Sequence, residues 1–250
     1  MSLPLRLQWR VFGRSLFLQA GFNPEGLQNL GLVYALLPAL EHLYPDDQAR
    51  ALAVRRHLAT FNTHPYVAAA IIGGVVFHEE RIARGEEPPA AVERFKDALM
   101  GPLAALGDGF FWLSLKPAVG AFCAALVPLI GAWAGLVFLL VYNAVHLWAR
   151  LYFFFLGLSR GDGLLVRLGE LRLPRWSERL RNLAALCTGG LGAYLAVAFG
   201  ALADPERAVA LSLATVGLGV LAYLAARRAV SPYALLYTAA LGAFAWGVAL

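Results

Sequence analysis

The second half of the chain consists largely of apolar runs that, as helices, are about as long as the hydrocarbon core of a bilayer is thick, or longer. Residues 117–149 contain no Asp, Glu, Lys or Arg, and neither do residues 183–203, 208–226 and 230–250. A helix needs about 20 apolar residues to cross a bilayer. Because 60% of the 250 residues are hydrophobic and only 15% are charged, the sequence predicts an all-α integral membrane protein rather than a large soluble domain.

The run 117–149 is longer than one crossing requires. As a single helix it would extend about 50 Å, well beyond a hydrocarbon core of about 30 Å. Pro128 and Gly131 are the predicted point at which the helix breaks. Gly131 and Gly135 also have the spacing of two small residues that permits close helix packing.

The arginine residues predict the topology. Residues 150–182 carry seven arginines against three acidic residues, and Arg227 and Arg228 separate the last two apolar runs. Because cytoplasmic loops hold the excess of Arg and Lys, residues 150–182 and 227–229 are predicted inside, residues 204–207 outside, the N-terminus cytoplasmic and the C-terminus extracytoplasmic. The same rule accounts for the net charge of +5, so no nucleic-acid partner is inferred.

The pattern divides the chain into residues 1–116, which mix short apolar runs with charged stretches, and a transmembrane region 117–250 with the cytoplasmic linker 150–182. Arg6, Arg10 and Arg14 recur at intervals of four, which predicts an amphipathic helix at the membrane surface or against a partner. Residues 45–47 are predicted to begin another helix. The two cysteines, Cys123 and Cys187, both lie in apolar runs, so the sequence predicts neither a disulfide framework nor a metal site. It indicates no cofactor.

A short apolar segment follows a polar turn at residues 61–77, which read FNTHPYVAAAIIGGVVF. One interpretation is a helix junction, in which Asn62 ends one helix, Thr63 or His64 caps the next and Pro65 takes its first turn. The other interpretation adds a ligand. The side chains of Asn62, Thr63 and His64 would line a cavity at membrane depth, and the apolar residues would form one arm of a re-entrant hairpin.

A second polar break interrupts residues 99–117. The predicted helix breaks twice, at Gly101 with Pro102 and at Asp108 between two glycines, and this pattern predicts a second re-entrant hairpin with its tip at Asp108. Asp108 is a functional candidate because a carboxylate is costly to place at membrane depth. The alternative is that Asp108 caps a helix from the aqueous interface. Trp112 is either an interface anchor, a core residue or a ligand platform. Glu79 and Glu80, in a charged segment, are predicted to be solvated.

Four segments of the chain resemble a known family. They are LQAGFNPEGLQNLGLVYALLPALEHLYPDD, RRHLATFNTHPYVAAAIIG, ALMGPLAALGDGFFWLSLKP and VYNAVHLWARLYFFFLGLSRG, in this order. They resemble the IID membrane subunit of the mannose/fructose/sorbose type of the phosphoenolpyruvate-dependent sugar phosphotransferase system. The resemblance covers nearly the whole chain.

This resemblance implies a function in the bacterial cytoplasmic membrane. It implies a IIC membrane subunit as partner, arranged as a trimer of heterodimers, and IIA and IIB phosphocarrier proteins that phosphorylate the incoming hexose. The chain itself would then not be an enzyme. The alternatives are a non-transporting regulatory or scaffolding subunit, and a membrane-embedded transferase using Asp108 and His64, which no nucleophile or metal-ligand set supports.

The resemblance also implies that the polar breaks face the sugar path. Two departures from the family pattern fall nearby: the segment that begins at Phe22 differs from the usual Trp–Asn–x–Glu–Arg–Met–Gln, and Lys116 replaces an arginine. Hydroxyl-rich sugars need paired donors and acceptors and an aromatic face. The implied sugar-path residues are Asn62, Thr63, His64, Asp108, Trp112, Asn23, Glu25 and Lys116.

Overall fold

The computed structural model describes residues 3–201 and positions 209, 213, 217, 220, 237 and 241. Apart from those six positions, the predicted spans 208–226 and 230–250, the loop 204–207, the arginine pair and the C-terminus lie outside the described residues. The helices are α1 Leu5–Ser15, α2 Asn29–Leu43, α3 Asp47–His57, α4 Ala68–Ala83, α5 Ala90–Gly107, α6 Lys116–Ile130, α7 Trp133–Arg160, α8 Leu164–Glu170 and α9 Leu173–Ala201.

Two of the described helical stretches are long and apolar enough to cross a membrane, by length and composition. They are Ala90–Ile130 and Trp133–Glu170. The predicted break between them is confirmed: α6 ends at Ile130, Gly131 takes φ +59°, and α7 begins at Trp133. A positive φ is readily adopted only by glycine, so Gly131 allows α6 and α7 to form an antiparallel hairpin.

Two predicted helices of the first half are also confirmed. The N-terminal helix α1 spans Leu5–Ser15, buries Val11 and Ser15, and leaves Leu5 and Trp9 exposed beside its arginines. Helix α3 begins at Asp47, within the predicted start at residues 45–47. The Asp46 carboxylate caps it by accepting the Ala49 N–H at 2.7 Å. This bond satisfies one of the free donors of the first turn.

Helix α4 contains the short apolar segment and lies at the centre of the core. Residues 68–76 are all buried. Its 16 residues give a length of about 24 Å, less than a bilayer core. Helix α4 packs closely on α7 because Gly73 lies against the Phe154 carbonyl and Gly157 against the Ala70 carbonyl. The depth of α4 in a membrane stays a prediction.

The hairpin predicted at 99–117 is wrong, because the chain is helical throughout. Pro102 lies inside α5, and α5 continues into α6 through a π-helical segment, Asp108–Leu115. In this segment the Ser114 hydroxyl donates to the Gly109 carbonyl at 2.7 Å. Glycine weakens a helix by only about 1 kcal/mol, and local π adjustments accommodate proline in long apolar helices, so neither residue has to reverse the chain.

Most of the predicted linker 150–182 is helical, although its many charged residues suggested a loop. Helix α7 continues to Arg160 and α9 begins at Leu173, so only short turns and the helix α8 lie between them. Gly131 forms the turn before α7, and a Cβ added at Gly135 would meet no atom of the described residues within 4 Å. The close helix packing that this pair allows stays a prediction.

Glu79 and its partners form a buried charged network that joins α3, α4 and the end of α2. The Glu79 carboxylate accepts from the Arg56 guanidinium at 2.8 and 2.9 Å, from His57 Nε2 at 2.9 Å and from the Tyr44 hydroxyl at 2.7 Å. Its side chain is 0% exposed. The prediction that Glu79 is solvated is therefore wrong, and its two oxygens share four donated hydrogen bonds.

Candidate functional site

The two polar segments identified in the sequence meet in space. Gly107 packs against His64, since a Cβ added to Gly107 would lie 2.4 Å from the His64 Cβ. The His64 ring stacks on Phe111 with centroids 5.3 Å apart and meets Trp112 edge-on at 4.7 Å. The structure thus brings His64 and Trp112 together, with Asp108 directly after the contact glycine.

The loop that carries His64 is held by hydrogen bonds at Thr63, two of them made by the Gln28 side chain. Gln28 donates from Nε2 to the Thr63 carbonyl at 2.8 Å and accepts the Thr63 N–H at 3.0 Å. The Thr63 hydroxyl donates to the Met100 carbonyl at 3.0 Å. All polar groups of Thr63 are therefore engaged within the protein. Asn62, beside it, is exposed.

His64 has a buried ring nitrogen that lacks a hydrogen-bond partner among the described residues. It is only 2% exposed, and its Nδ1 accepts the Tyr66 N–H at 3.3 Å. The proton of the neutral ring is therefore assigned to Nε2, which has no hydrogen-bond partner in the described part of the chain. Burial, together with the nearby Arg150 and His146, lowers the pKa of His64 to about 4, so the ring is neutral at pH 7.

The segment is a junction between two helices, as one interpretation predicted, but the residues predicted to end and cap these helices do not do so. Helix α3 ends at His57, five residues before Asn62, and the residue preceding α4 is Val67, with no capping side chain. The His64 main chain accepts the Ala68 N–H at 2.9 Å, so the chain enters α4 through backbone bonds. The side chains of Asn62 and His64 are consequently not used as helix caps.

A cluster of polar and aromatic side chains continues inward from His64. Tyr66 stacks on His146 at 4.4 Å and accepts a hydrogen bond from the Tyr142 hydroxyl at 3.4 Å, and the Arg150 guanidinium lies 4.9 Å from the Tyr66 ring centroid. Arg150 is 8% exposed and donates to the Leu16 carbonyl at 3.4 Å.

These residues were not predicted as site residues. Arg150 was grouped with the loop arginines because it follows the apolar run. A usable signal exists, however: Tyr142, His146 and Arg150 recur at intervals of four, which places them on one face of a helix.

The remaining predicted residues lie apart from this cluster. Asn23 and Glu25 line a separate groove of about 640 Å³ with Asn29 and Thr60. The Asn23 side chain accepts the Gly26 N–H at 2.8 Å and donates to Asn29 at 3.0 Å. Lys116 is exposed at the start of α6. Among the described residues, no three His, Cys, Asp or Glu side chains converge on a site for a metal ion.

Comparison with known proteins identifies the family. A sequence profile of the PTS system mannose/fructose/sorbose family IID component matches residues 5–239. The chain belongs to this family. It is 38% identical over 184 residues to the mannose-specific EIID component of Escherichia coli K12, covering 72% of this chain and 65% of that protein. It is 36% identical over 183 residues to the fructose permease IID component of Bacillus subtilis, covering 72% and 66%.

Solved structures agree with this assignment. The chain matches a cryo-EM structure of the mannose transporter ManYZ with microcin E492, with a TM-score of 0.62, 28% identity, and coverage of 99% and 96%. A second match, a membrane protein, has a TM-score of 0.74, 28% identity, and coverage of 100% and 97%. The predicted family and the all-α membrane fold are therefore confirmed. The aligned sequence region spans slightly under two thirds of the curated relatives.

Proposed function

We propose that this chain is the IID half of a sugar-translocating unit in the bacterial cytoplasmic membrane. It pairs with a IIC subunit, as a trimer of heterodimers, and moves a hexose inward while IIB, recharged by IIA, phosphorylates it. Family membership and the likeness to the mannose transporter ManYZ support this proposal. Phosphoryl transfer belongs to IIA and IIB, so the chain contributes transport residues and no catalytic residue.

The observation that carries the proposal is the contact between the His64 loop and the π-helical segment. The two segments carry the kinds of group that a sugar requires: the buried, unpartnered Nε2–H of His64, the exposed amide of Asn62, the carboxylate of Asp108, and the 46% exposed ring of Trp112. Hydroxyl groups pair with such donors and acceptors, while an aromatic face packs on the sugar C–H groups. Thr63 holds the loop in position.

Three further residues extend the proposed path. Asn23 and Glu25 line the groove on the other side of the loop, where the backbone of Phe61 pairs with that of Gly26 and Gln28. Lys116 lies on the helix that continues from the Asp108 segment. In this proposal these exposed or half-buried polar groups bind sugar hydroxyls at points of the path away from the His64 contact.

Replacing Asp108 or Asn62 is expected to weaken sugar binding. Asp108→Asn keeps the shape of the side chain and removes its charge, so a charge-assisted bond of about 1–3 kcal/mol is lost, which is about tenfold or more in affinity. Asn62→Ala should have a similar effect. The measurement is a mannose titration of the assembled IIC–IID complex, with its yield recorded in parallel.

Asp97→Asn is the matched control, because Asp97 is an exposed carboxylate on the same helix as the segment leading to Asp108. It should leave the affinity unchanged. Wild-type affinity in both site variants, or loss of assembly in both, would remove these residues from the sugar path.

The proposed topology predicts labelling from opposite sides. Single cysteines introduced by Glu178→Cys and Leu250→Cys, in a variant lacking Cys123 and Cys187, should react with a membrane-impermeant maleimide inside and outside respectively. Glu178 is chosen because it is exposed, whereas its neighbour Ser177 is buried. Labelling of both positions from the cytoplasmic side would contradict the arginine-based topology.

A further inference from the structure

An apolar cavity of about 440 Å³ lies between the π-helical segment, α7 and the beginning of α9. Its walls are aliphatic and aromatic side chains, among them Phe110, Val145, Trp148, Ala149, Tyr152 and Trp176. An α-helix with its side chains is about 10 Å wide, so a cavity of this size admits a single chain of methylene groups or one side chain and excludes a partner helix.

The cavity lies where an apolar surface changes to an arginine-rich one. Trp148 and Trp176 are 65% and 53% exposed, and Tyr152 stacks on Trp148 at 5.5 Å. Trp and Tyr are enriched at the membrane–water interface. Leu139 and Leu140, which are closer than Trp148 to the beginning of α7, are also exposed. Exposed leucines are expected on a helix surface that faces lipid tails.

Several arginines lie in the segment next to the cavity. Residues 167–181 contain five arginines and two glutamates. Arg172 stands between two residues that line the cavity, and the Arg179 guanidinium lies 5.0 Å from the Trp176 ring centroid. Arg172 and Arg175 are exposed, and neither forms an ion pair with the described residues. Two arginines without an ion-pair partner among the described residues, next to an apolar cavity, complement a lipid that has a negative headgroup.

We propose that this cavity holds one acyl chain of an anionic phospholipid, whose phosphate is bound by Arg172 and Arg175. The lipid tail would fill the space between α7 and α9, and the guanidinium groups would bind the phosphate by charge-assisted hydrogen bonds. This proposal depends on the chain being a membrane protein and is independent of sugar transport.

The test measures lipid retention by the IIC–IID complex. The complex is reconstituted in phosphatidylcholine nanodiscs with graded phosphatidylglycerol, released in mild detergent, and analysed by native mass spectrometry. Wild-type protein should retain phosphatidylglycerol in preference to phosphatidylcholine. The double variant Arg172→Gln/Arg175→Gln should lower that preference at least tenfold, and the matched double variant Arg55→Gln/Arg94→Gln, at exposed positions of α3 and α5, should not.

A second variant tests the cavity itself. Ala149→Phe fills the space and should abolish retention of this lipid, whereas Ala144→Phe, at an exposed position of the same helix, should not. If Ala149→Phe does not assemble, Val145→Phe serves instead, because Val145 lines the cavity and is only partly buried. Equal retention of the two lipids by the wild type, or retention by the filled variants, would overturn the proposal. So would lipid binding by the isolated chain that disappears when IIC is present.

Discussion

Replacing Gly157 by alanine is expected to disrupt the packing of α4 on α7. A Cβ at position 157 would lie 2.0 Å from the Ala70 carbonyl oxygen and 2.8 Å from the Gly74 nitrogen. Both are backbone atoms, which cannot rotate away, so the two helices would have to separate along the centre of the core. Overpacking costs about 1–3 kcal/mol and occasionally more, and we expect the upper end or beyond.

Gly135→Ala is the matched control, because Gly135 lies on the same helix with no atom within 4 Å of an added Cβ. Alanine favours a helix over glycine by about 1 kcal/mol, so this variant should be neutral or slightly more stable. The measurement is the thermal midpoint and the monodisperse fraction in detergent. Equal midpoints for Gly157→Ala and wild type would show that the helices are not in backbone contact.

The sequence predicted the elements that depend on local rules. The break before α7 follows from Pro128 and Gly131, and the beginning of α3 follows from Asp46, whose side chain bonds to the backbone three residues later. Such signals need no knowledge of distant contacts. For the same reason the amphipathic helix α1 could be predicted from the spacing of its arginines.

The roles of the glycines could not be predicted in this way. Glycine is compatible with a turn, a helix break or a close backbone contact, and only the neighbours decide which applies. Gly131 forms a turn, whereas Gly107 is helical and accommodates His64. The predicted hairpin tip at Asp108 failed because the glycine before it serves a tertiary contact.

The candidate site was predicted in part. His64 and Trp112 are in contact, and a pairing of their segments was implied by the family resemblance rather than by local pattern. Arg150 was missed because it follows the apolar run and was grouped with the loop arginines. Glu79 was missed because a charged residue beside other charges is normally solvated. The partner Arg56 precedes Glu79 by 23 residues, and no local periodicity connects them.

The buried network around Glu79 gives the second large effect. In Glu79→Gln the Arg56 guanidinium stays charged and loses its counter-ion, while the Tyr44 hydroxyl and His57 lose a carboxylate acceptor. Removing one member of a buried ion pair costs about 3–5 kcal/mol. Glu41→Gln, at an exposed position of α2, should leave the free energy of unfolding within about 0.5 kcal/mol of the wild type.

Acidification should reveal the same network. Burial alone would raise the pKa of Glu79, but the bonds from His57 and Arg56 outweigh it and lower the pKa to about 2, from an ordinary value of 4.5. A carboxyl group with a lower pKa in the folded state stabilises fully above its unfolded pKa and loses that contribution as the pH falls. The contribution, about 3 kcal/mol, should therefore disappear between about pH 4.5 and pH 2.

His57 acts in the same direction at higher pH. Burial lowers its pKa below 6.5 despite the bond to Glu79, and Lys96 donates toward its other nitrogen at 3.4 Å, so the folded state resists its protonation. The thermal midpoint of the wild type should thus fall below about pH 6.5 and fall further below pH 4.5. In Glu79→Gln the decline below pH 4.5 should be shallower than in Glu41→Gln, because the titrating carboxylate is absent. Parallel pH profiles for these two variants would show that Glu79 does not hold α3 and α4 together as an ionised group.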